Sequence, residues 1–505
     1  MTNTIVTSQF SGHPRGLFLL SGVEMWERFS YHMMRAMLVL FLTAPVAAQG
    51  FGWANEDAYK LYGFYTGLIY VTPILGGLLA DRHLGQQRAL ISGASLMCLG
   101  HFLMAGPGVF PWLGDMLTNG AVSMVLLDSS VSMASSLSAE TLASLKAAVE
   151  SMSVSDPEGL LRITAGVYRA IGLSFYAALL SLVLGAGLFL PSASSLLGGL
   201  YADDGAQRER GFFIFYLSIN IGATMAPIAA GVFGERLGWH LGFTIAGFAM
   251  AVGLLAFLLL RRRLLAEIGR FPLKRKEEDY KNSVSPVSRV RSDRIRALLI
   301  LASFLFVSEL ILGQIGGLLN VLTRDRVDRE IAGTLWPAVW FQTFYPFFIV
   351  FSLFALVWLT RRLDRSGRNP TVARKFAFGF AFLSLGIFIL TRALASNGLI
   401  HPLYIVSVYG LMAAGEVLIY PVARAMVTRY APADRTVTFM GVLFLFGALG
   451  AIASGYVASL ASALGEVAVF RALLLSTALA GAALFLLNRH LVALSHGLEP
   501  VLIVK

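Results

Sequence analysis

The residues from Glu24 to Arg35, EMWERFSYHMMR, place two carboxylates and two guanidinium groups inside an apolar run from about Leu17 to Leu42. That run is long enough to cross a bilayer, which takes about 20 residues. A helix turns about 100° per residue, so Glu24, Glu27, Arg28, Tyr31 and Arg35 fall on one stripe. A charge at the middle of a membrane helix costs roughly 2.5 to 3.5 kcal/mol on insertion scales. The stripe is therefore expected to line a bundle interior or a watery cavity and not to face lipid. The chemistry available is that of an ion or substrate path, with proton exchange at the acids. Desolvation favours a protonated glutamate, and a neighbouring arginine favours the ionised form. The other reading is a Glu/Arg pair that bolts two helices together, although four charges exceed what one bolt needs.

Composition sets the surroundings of that stripe. Of 505 residues, 56% are hydrophobic and 14% charged, against roughly 25% charged in a soluble domain. This is the composition of a polytopic membrane protein. The net charge of +11 comes from Lys and Arg confined to short segments between apolar runs, the positive-inside pattern, and it does not point to nucleic acid. The single cysteine, Cys98, excludes an intrachain disulfide or a cysteine metal cluster and reads as a small buried hydrophobe. No Ser/His/Asp set, metal-ligand spacing or phosphate loop points to an enzyme, a metal or a cofactor. His32 reads either as a polar stand-in for tyrosine or as a proton relay. No cleavable signal peptide is expected, since polar Met1 to Gly16 leads directly into the first span. The absence of an Asn-x-Ser/Thr sequon with x other than Pro favours a bacterial inner membrane.

Apolar runs of about 20 residues fall near 17–42, 59–80, 88–112, 170–196, 211–233 and 240–260, then near 296–320, 335–360, 373–394, 402–428, 436–462 and 467–491. The expected organisation is an N-terminal six-helix bundle over 1–260, a basic linker over 261–296 and a C-terminal six-helix bundle over 297–505. The linker carries 12 Lys/Arg against 5 Asp/Glu, which places it and both termini in the cytoplasm. The stretch from about Leu113 to Arg169 is then an outer insert. Its Ser138 to Ser151 segment is capable of an amphipathic helix, and a plain spacer is the alternative. Because the helices it joins are expected to be antiparallel neighbours, the insert is expected to be dispensable for the fold.

Six plus six helices around a basic linker is the architecture of the major facilitator superfamily, an all-α membrane fold whose repeats rock about a midplane site. Gly76, Gly77, Ala80-Asp81-Arg82 and Gly85 to Arg88 resemble that superfamily's cytoplasmic signature, with Asp81, Arg82 and Arg88 expected in inner-gate ion pairs. Glu24-Met-Trp-Glu27-Arg28-Phe29-Ser-Tyr31 resembles the Glu-x-x-Glu-Arg-Phe-x-Tyr-Tyr motif of the proton-dependent oligopeptide transporter family. Similar to the same family are Tyr70-Val-Thr-Pro-Ile-Leu-Gly-Gly, Phe215-Tyr216-Leu-Ser-Ile-Asn220-Ile-Gly, and Gly415-Glu416 with Tyr420-Pro421, where the family pattern is Gly-Glu-x-x-x-Ser-Pro.

The resemblance implies that a peptide's carboxylate meets Arg28 and Arg35 and its amine meets Glu416, with Tyr31, Tyr70 and Asn220 as polar wall. For Glu416 a purely structural role is the alternative. The chain also departs from the pattern. Leu190 stands where the family has lysine, Ser192 where it has asparagine, Tyr345 where asparagine is expected and Leu443 where tryptophan is usual. Gly313 replaces the acid before Gln314, and Glu309, one turn away on the same face, either takes over that duty or is structural. Gln314 and Tyr345 are counted with the substrate contacts, and Glu24, Glu27, Arg28 and Glu309 with proton coupling.

The reading is a monomeric proton-coupled symporter importing short peptides or peptide-like carboxylate compounds by alternating access. It works with protons, a small-molecule or di/tripeptide substrate and membrane lipid, and without nucleic acid. The alternatives are a transporter-derived receptor or scaffold acting through the outer insert, and a proton-coupled carrier of another amphipathic solute.

Overall fold

The computed structural model describes residues 9–10, 12–128, 138–201, 205–272, 289–366, 368–396, 398–432 and 435–498. The charged stripe lies on α1 (Arg15–Thr43). A wide turn at Ala80–Leu84 joins α2 (Asn55–Leu79) to α3 (Gln86–Ala105). Three short helices, α4 (Val109–Thr118), α5 (Ala121–Asp128) and α6 (Ala139–Ser151), precede the 43-residue α7 (Pro157–Gly199). Then come α8 (Gly205–Ala229), continued by a wide turn over Ala230–Arg236, and α9 (Trp239–Leu264). The C-terminal half has α10 (Arg289–Leu312), α11 (Leu318–Arg326), α12 (Phe344–Arg365) and α13 (Val372–Leu394). It ends with α14 (Pro402–Tyr430), α15 (Thr436–Ser459), α16 (Ala461–Leu464) and α17 (Glu466–Ser495). Strand structure among the described residues is limited to two small hairpins, Gln9–Phe10 with His13–Pro14 and Glu330–Ile331 with Thr334–Leu335.

Among the described residues, eleven helical stretches are long and apolar enough to cross a membrane. The 29-residue α1, expected as the first span, is long enough to cross as well but is set apart from these eleven by its charges. The fold is the all-α membrane architecture that the apolar runs predict, although helix ends and run ends differ: α7 starts earlier, at Pro157, while α3 stops earlier, at Ala105, and α12 starts later, at Phe344. The seventh span is broken: α10 stops at Leu312, a tight turn covers Gly313–Ile315, and α11 restarts at Leu318 after Gly316 and Gly317. A single apolar run from 296 to 320 hides that break, because glycine scores as neither polar nor apolar while costing a helix about 1 kcal/mol against alanine.

Two units emerge. The first comprises Met1–Tyr59, Leu75–Phe271 and Pro337–Trp340, the second Lys60–Ile74, Pro272–Trp336 and Phe341–Lys505. Two short exchanges thus depart from a simple division by sequence. Lys60–Ile74 of α2 goes with the second unit, where Gly63 lies against Gly455 of α15 so closely that a Cβ there would come within 2.8 Å of the Gly455 backbone. Pro337–Trp340 goes with the first unit because the Glu235 carboxylate accepts the amides of Ala338 at 2.9 Å and Val339 at 3.2 Å. The Trp340 indole N–H also donates to the Ile228 carbonyl at 3.0 Å, and Arg236 stacks over the same ring at 4.8 Å.

Each unit contains helix crossings that depend on glycine. In the first unit α3 meets α7 where a Cβ on Gly185 would lie 2.7 Å from the Gly93 carbonyl oxygen and 2.6 Å from Met97 Cγ. In the second, α13 meets α14 where a Cβ on Gly415 would lie 2.9 Å from the Gly379 carbonyl oxygen. Small residues let membrane helices approach this closely. Gly415, which entered the sequence reading as part of a motif, therefore acts on packing, as Gly185 does. Gly185→Val is expected to lower the thermal unfolding temperature in detergent, since overpacking a close crossing costs about 1 to 3 kcal/mol. Unchanged unfolding would show that the crossing has slack.

The amphipathic segment of the insert forms α6. Ser138 caps it, its Oγ accepting the Thr141 amide at 3.1 Å, and Thr141, Leu145 and Val149, four residues apart, are the buried face. That face packs on α7, which Asp156 caps through the Gly159 amide at 2.9 Å, with Pro157 in its first turn. The insert is thus a docked helical element and not a plain spacer, although its residues 129–137 lie outside the described residues. Leu145→Ala should loosen α6 by about 2 to 5 kcal/mol of local packing. Limited proteolysis would register this as faster cleavage in the insert, with the bundle's unfolding temperature unchanged. The middle of the basic linker, 273–288, likewise lies outside the described residues. Its first turns are held by Gln87 of α3, whose Nε2 donates to the carbonyls of Ala266 at 3.1 Å and Ile268 at 2.8 Å.

Candidate functional site

Spacing alone brings the first cluster together. Glu24 and Arg28 are one turn apart on α1, and Arg28 Nε stands 3.1 Å from Glu24 Oε1 and 2.7 Å from Glu27 Oε2. Glu24 is 3% exposed and Glu27 1%. With all three groups ionised, the cluster carries one net negative charge in a buried setting, and a single proton on either carboxylate makes it neutral. At such short range and in low dielectric that charge difference is energetically large. Tyr31 continues the stripe, its ring 5.7 Å from the Arg28 guanidinium carbon, and His32 meets the Tyr31 ring edge-on at 5.1 Å. Arg35, two turns from Arg28, is half-buried.

The neighbour that braces this turn is α8. A Cβ on Gly222 would fall 2.3 Å from the Met25 carbonyl oxygen and 3.2 Å from Arg28 Cβ, so glycine lets the α8 backbone lie directly on the acids' turn. Asn220, just before it, is buried and spends its side-chain amide on its own helix, donating to the Tyr216 carbonyl at 2.9 Å. Leu190 on α7 is half-buried, and Ser192 donates to the Leu188 carbonyl at 2.7 Å.

A second cluster belongs to the other unit. Glu309 on α10 is 4% exposed. Its Oε1 accepts the phenol of Tyr70 at 2.9 Å and also that of Tyr420. Ser308 Oγ stands 3.4 Å from the Tyr420 hydroxyl. Gln314, buried, donates through Nε2 to the carbonyls of Leu310 at 2.8 Å and Ser454 at 3.1 Å. It is thus a clamp across the broken seventh span as well as a candidate contact. Glu416 and Tyr420 are one turn apart on α14, both half-buried. The Tyr345 ring lies 6.4 Å from that of Tyr409.

The expected inner-gate residues stand elsewhere. Asp81, Arg82 and Arg88 are exposed at the turn between α2 and α3, and Asp81 accepts a hydrogen bond from Gln86 Nε2 at 2.7 Å. Among the described residues Asp81 forms no ion pair with Arg82 or Arg88. Cys98, expected to be buried, is half-exposed on α3. The sequence reading missed Tyr420 as a partner of Glu309. The available signal was its place one turn from Glu416, at a position where serine is usual.

Comparison with known proteins bears on the family and the fold. The family model described as POT family matches residues 87–266 and 278–472. The chain is 28% identical to the peptide transporter YePEPT of Yersinia enterocolitica, over 90% of this chain and 89% of that one. It is 26% identical to a di-/tripeptide transporter of Lactococcus lactis, over 91% and 92%. It superposes on a crystal structure of a peptide transporter POT in complex with sulfate with a TM-score of 0.77 at 25% identity, covering 96% of this chain and 97% of that one.

Proposed function

The chain belongs to the POT family of multi-pass membrane transporters, and we propose that it is a proton-coupled symporter importing short peptides or peptide-like carboxylate compounds by alternating access. The observation that carries this reading is the buried group of two carboxylates around one guanidinium on α1. Glu24 and Glu27 hold the transported proton and Arg28 sets when it leaves. A substrate carboxylate arriving at Arg28 and Arg35 competes for the guanidinium, so one acid loses its counter-charge and retains a proton. Unloading the substrate returns the arginine to both acids and releases the proton. In this scheme the amine end of the substrate is held by Glu416, with Tyr31, Tyr70, Asn220, Gln314 and Tyr345 as wall and Glu309 as a second titrating acid. Asp81, Arg82 and Arg88 serve gating at the α2–α3 turn. Both termini face the cytoplasm of a bacterial cell, and the working unit is a monomer.

The relatives named as peptide and di-/tripeptide transporters support the substrate class. The test is reconstitution into liposomes with an imposed pH gradient and a panel of di- and tripeptides. Uptake that rises with an acidic exterior is expected. Uptake indifferent to the gradient would remove the symport claim, and proton flux that no peptide stimulates would point to another solute.

A further inference from the structure

Glu309 and its two phenols lie where several departures from the family pattern meet. The acid expected before Gln314 is replaced by Gly313, an acid stands one turn earlier at Glu309, and tyrosine occupies position 420 where serine is usual. Two of these changes, Glu309 and Tyr420, touch one another. The Tyr420 hydroxyl donates to Glu309 Oε1, the oxygen that also accepts from Tyr70 at 2.9 Å, and Ser308 reaches the Tyr420 hydroxyl from the same helix as Glu309. On its own helix Tyr420 stands one turn from Glu416.

We propose that Tyr420 is the residue that sets the substrate length this transporter accepts. Its ring supplies volume, one turn from Glu416, that a serine would lack, and its hydroxyl shares Glu309 Oε1 with that of Tyr70. The proposal rests on the peptide-carrier reading above. It follows that the subsite beside Glu416 takes a small amine-bearing end, and dipeptides are preferred to tripeptides. Ring and hydroxyl have separate duties. The ring excludes length by volume, an effect of steric origin that a phenylalanine preserves. The hydroxyl positions Glu309 through a hydrogen bond to a charged acceptor, which phenylalanine loses and which strengthens with charge.

The experiment measures kcat/KM for dialanine and trialanine in liposomes, for the wild type, Tyr420→Ser and Tyr420→Phe. Tyr420→Ser is expected to raise the tripeptide-to-dipeptide ratio by about tenfold, the scale on which pocket volume discriminates. Tyr420→Phe should leave that ratio near wild type and lower the rates for both peptides alike. A ratio unchanged in Tyr420→Ser, with dialanine still transported, would overturn the assignment and leave the carrier reading standing. A ratio that rises equally in Tyr420→Phe would overturn it as well, by assigning selection to the hydroxyl. Wild-type liposomes that take up neither peptide would overturn the carrier reading and this inference with it.

Discussion

Glu27→Gln is expected to reduce pH-gradient-driven uptake to the level of empty liposomes while counterflow exchange of labelled for unlabelled peptide persists. Glutamine keeps the length and planarity of the side chain but can neither carry the proton nor hold a charge against Arg28, which stands 2.7 Å away. Exchange needs no net proton movement, so a carrier that still binds and reorients continues to exchange. Equal loss of both activities would assign Glu27 to folding, as a buried anchor for Arg28. The same comparison on Glu24→Gln separates the two acids, since Glu24 shares the guanidinium at 3.1 Å.

The second large effect is expected at Arg28. Its guanidinium faces Glu24 and Glu27 on one side and the Tyr31 ring on another, a geometry that needs a planar group with several fixed donors. Lysine keeps the charge but as a compact ammonium without the planar, fixed fork of donors. Losing one hydrogen bond to a charged partner costs about 1.5 to 3 kcal/mol, so kcat/KM for carboxylate-bearing peptides should fall roughly ten- to a hundredfold in Arg28→Lys. Peptide amides that lack the terminal carboxylate should lose much less. Wild-type kinetics with both ligand types would show that Arg28 does not bind the carboxylate.

The first cluster was legible because it is local. Glu24, Glu27, Arg28 and Tyr31 lie within two turns of one helix, and helical periodicity suffices to put them on one stripe. The spans were legible for a similar reason, as the length of an apolar run is itself the signal. The second cluster was not, because Tyr70, Glu309 and Tyr420 come from three helices far apart in sequence, and nothing in their spacing says that two phenols meet one carboxylate. The broken seventh span, the docking of α6 and the capture of Ala338 and Val339 by Glu235 were hidden for the same reason. Each depends on tertiary partners or on single glycines, to which a count of apolar residues is blind. The hydrogen bond that Asp81 accepts from Gln86 at the exposed α2–α3 turn was equally hidden, because the motif that contains both residues carries no sign of which polar groups meet.

The central claim is that peptide and proton cross together because both answer to Arg28. The most direct measurement records the internal pH of liposomes containing the wild-type protein when an external dipeptide is added with no pH gradient and with the membrane potential clamped at zero. Inward peptide movement should acidify the lumen, with an initial rate proportional to that of labelled peptide entry, and Glu27→Gln liposomes should stay flat. Peptide entry without acidification in the wild type would contradict the account.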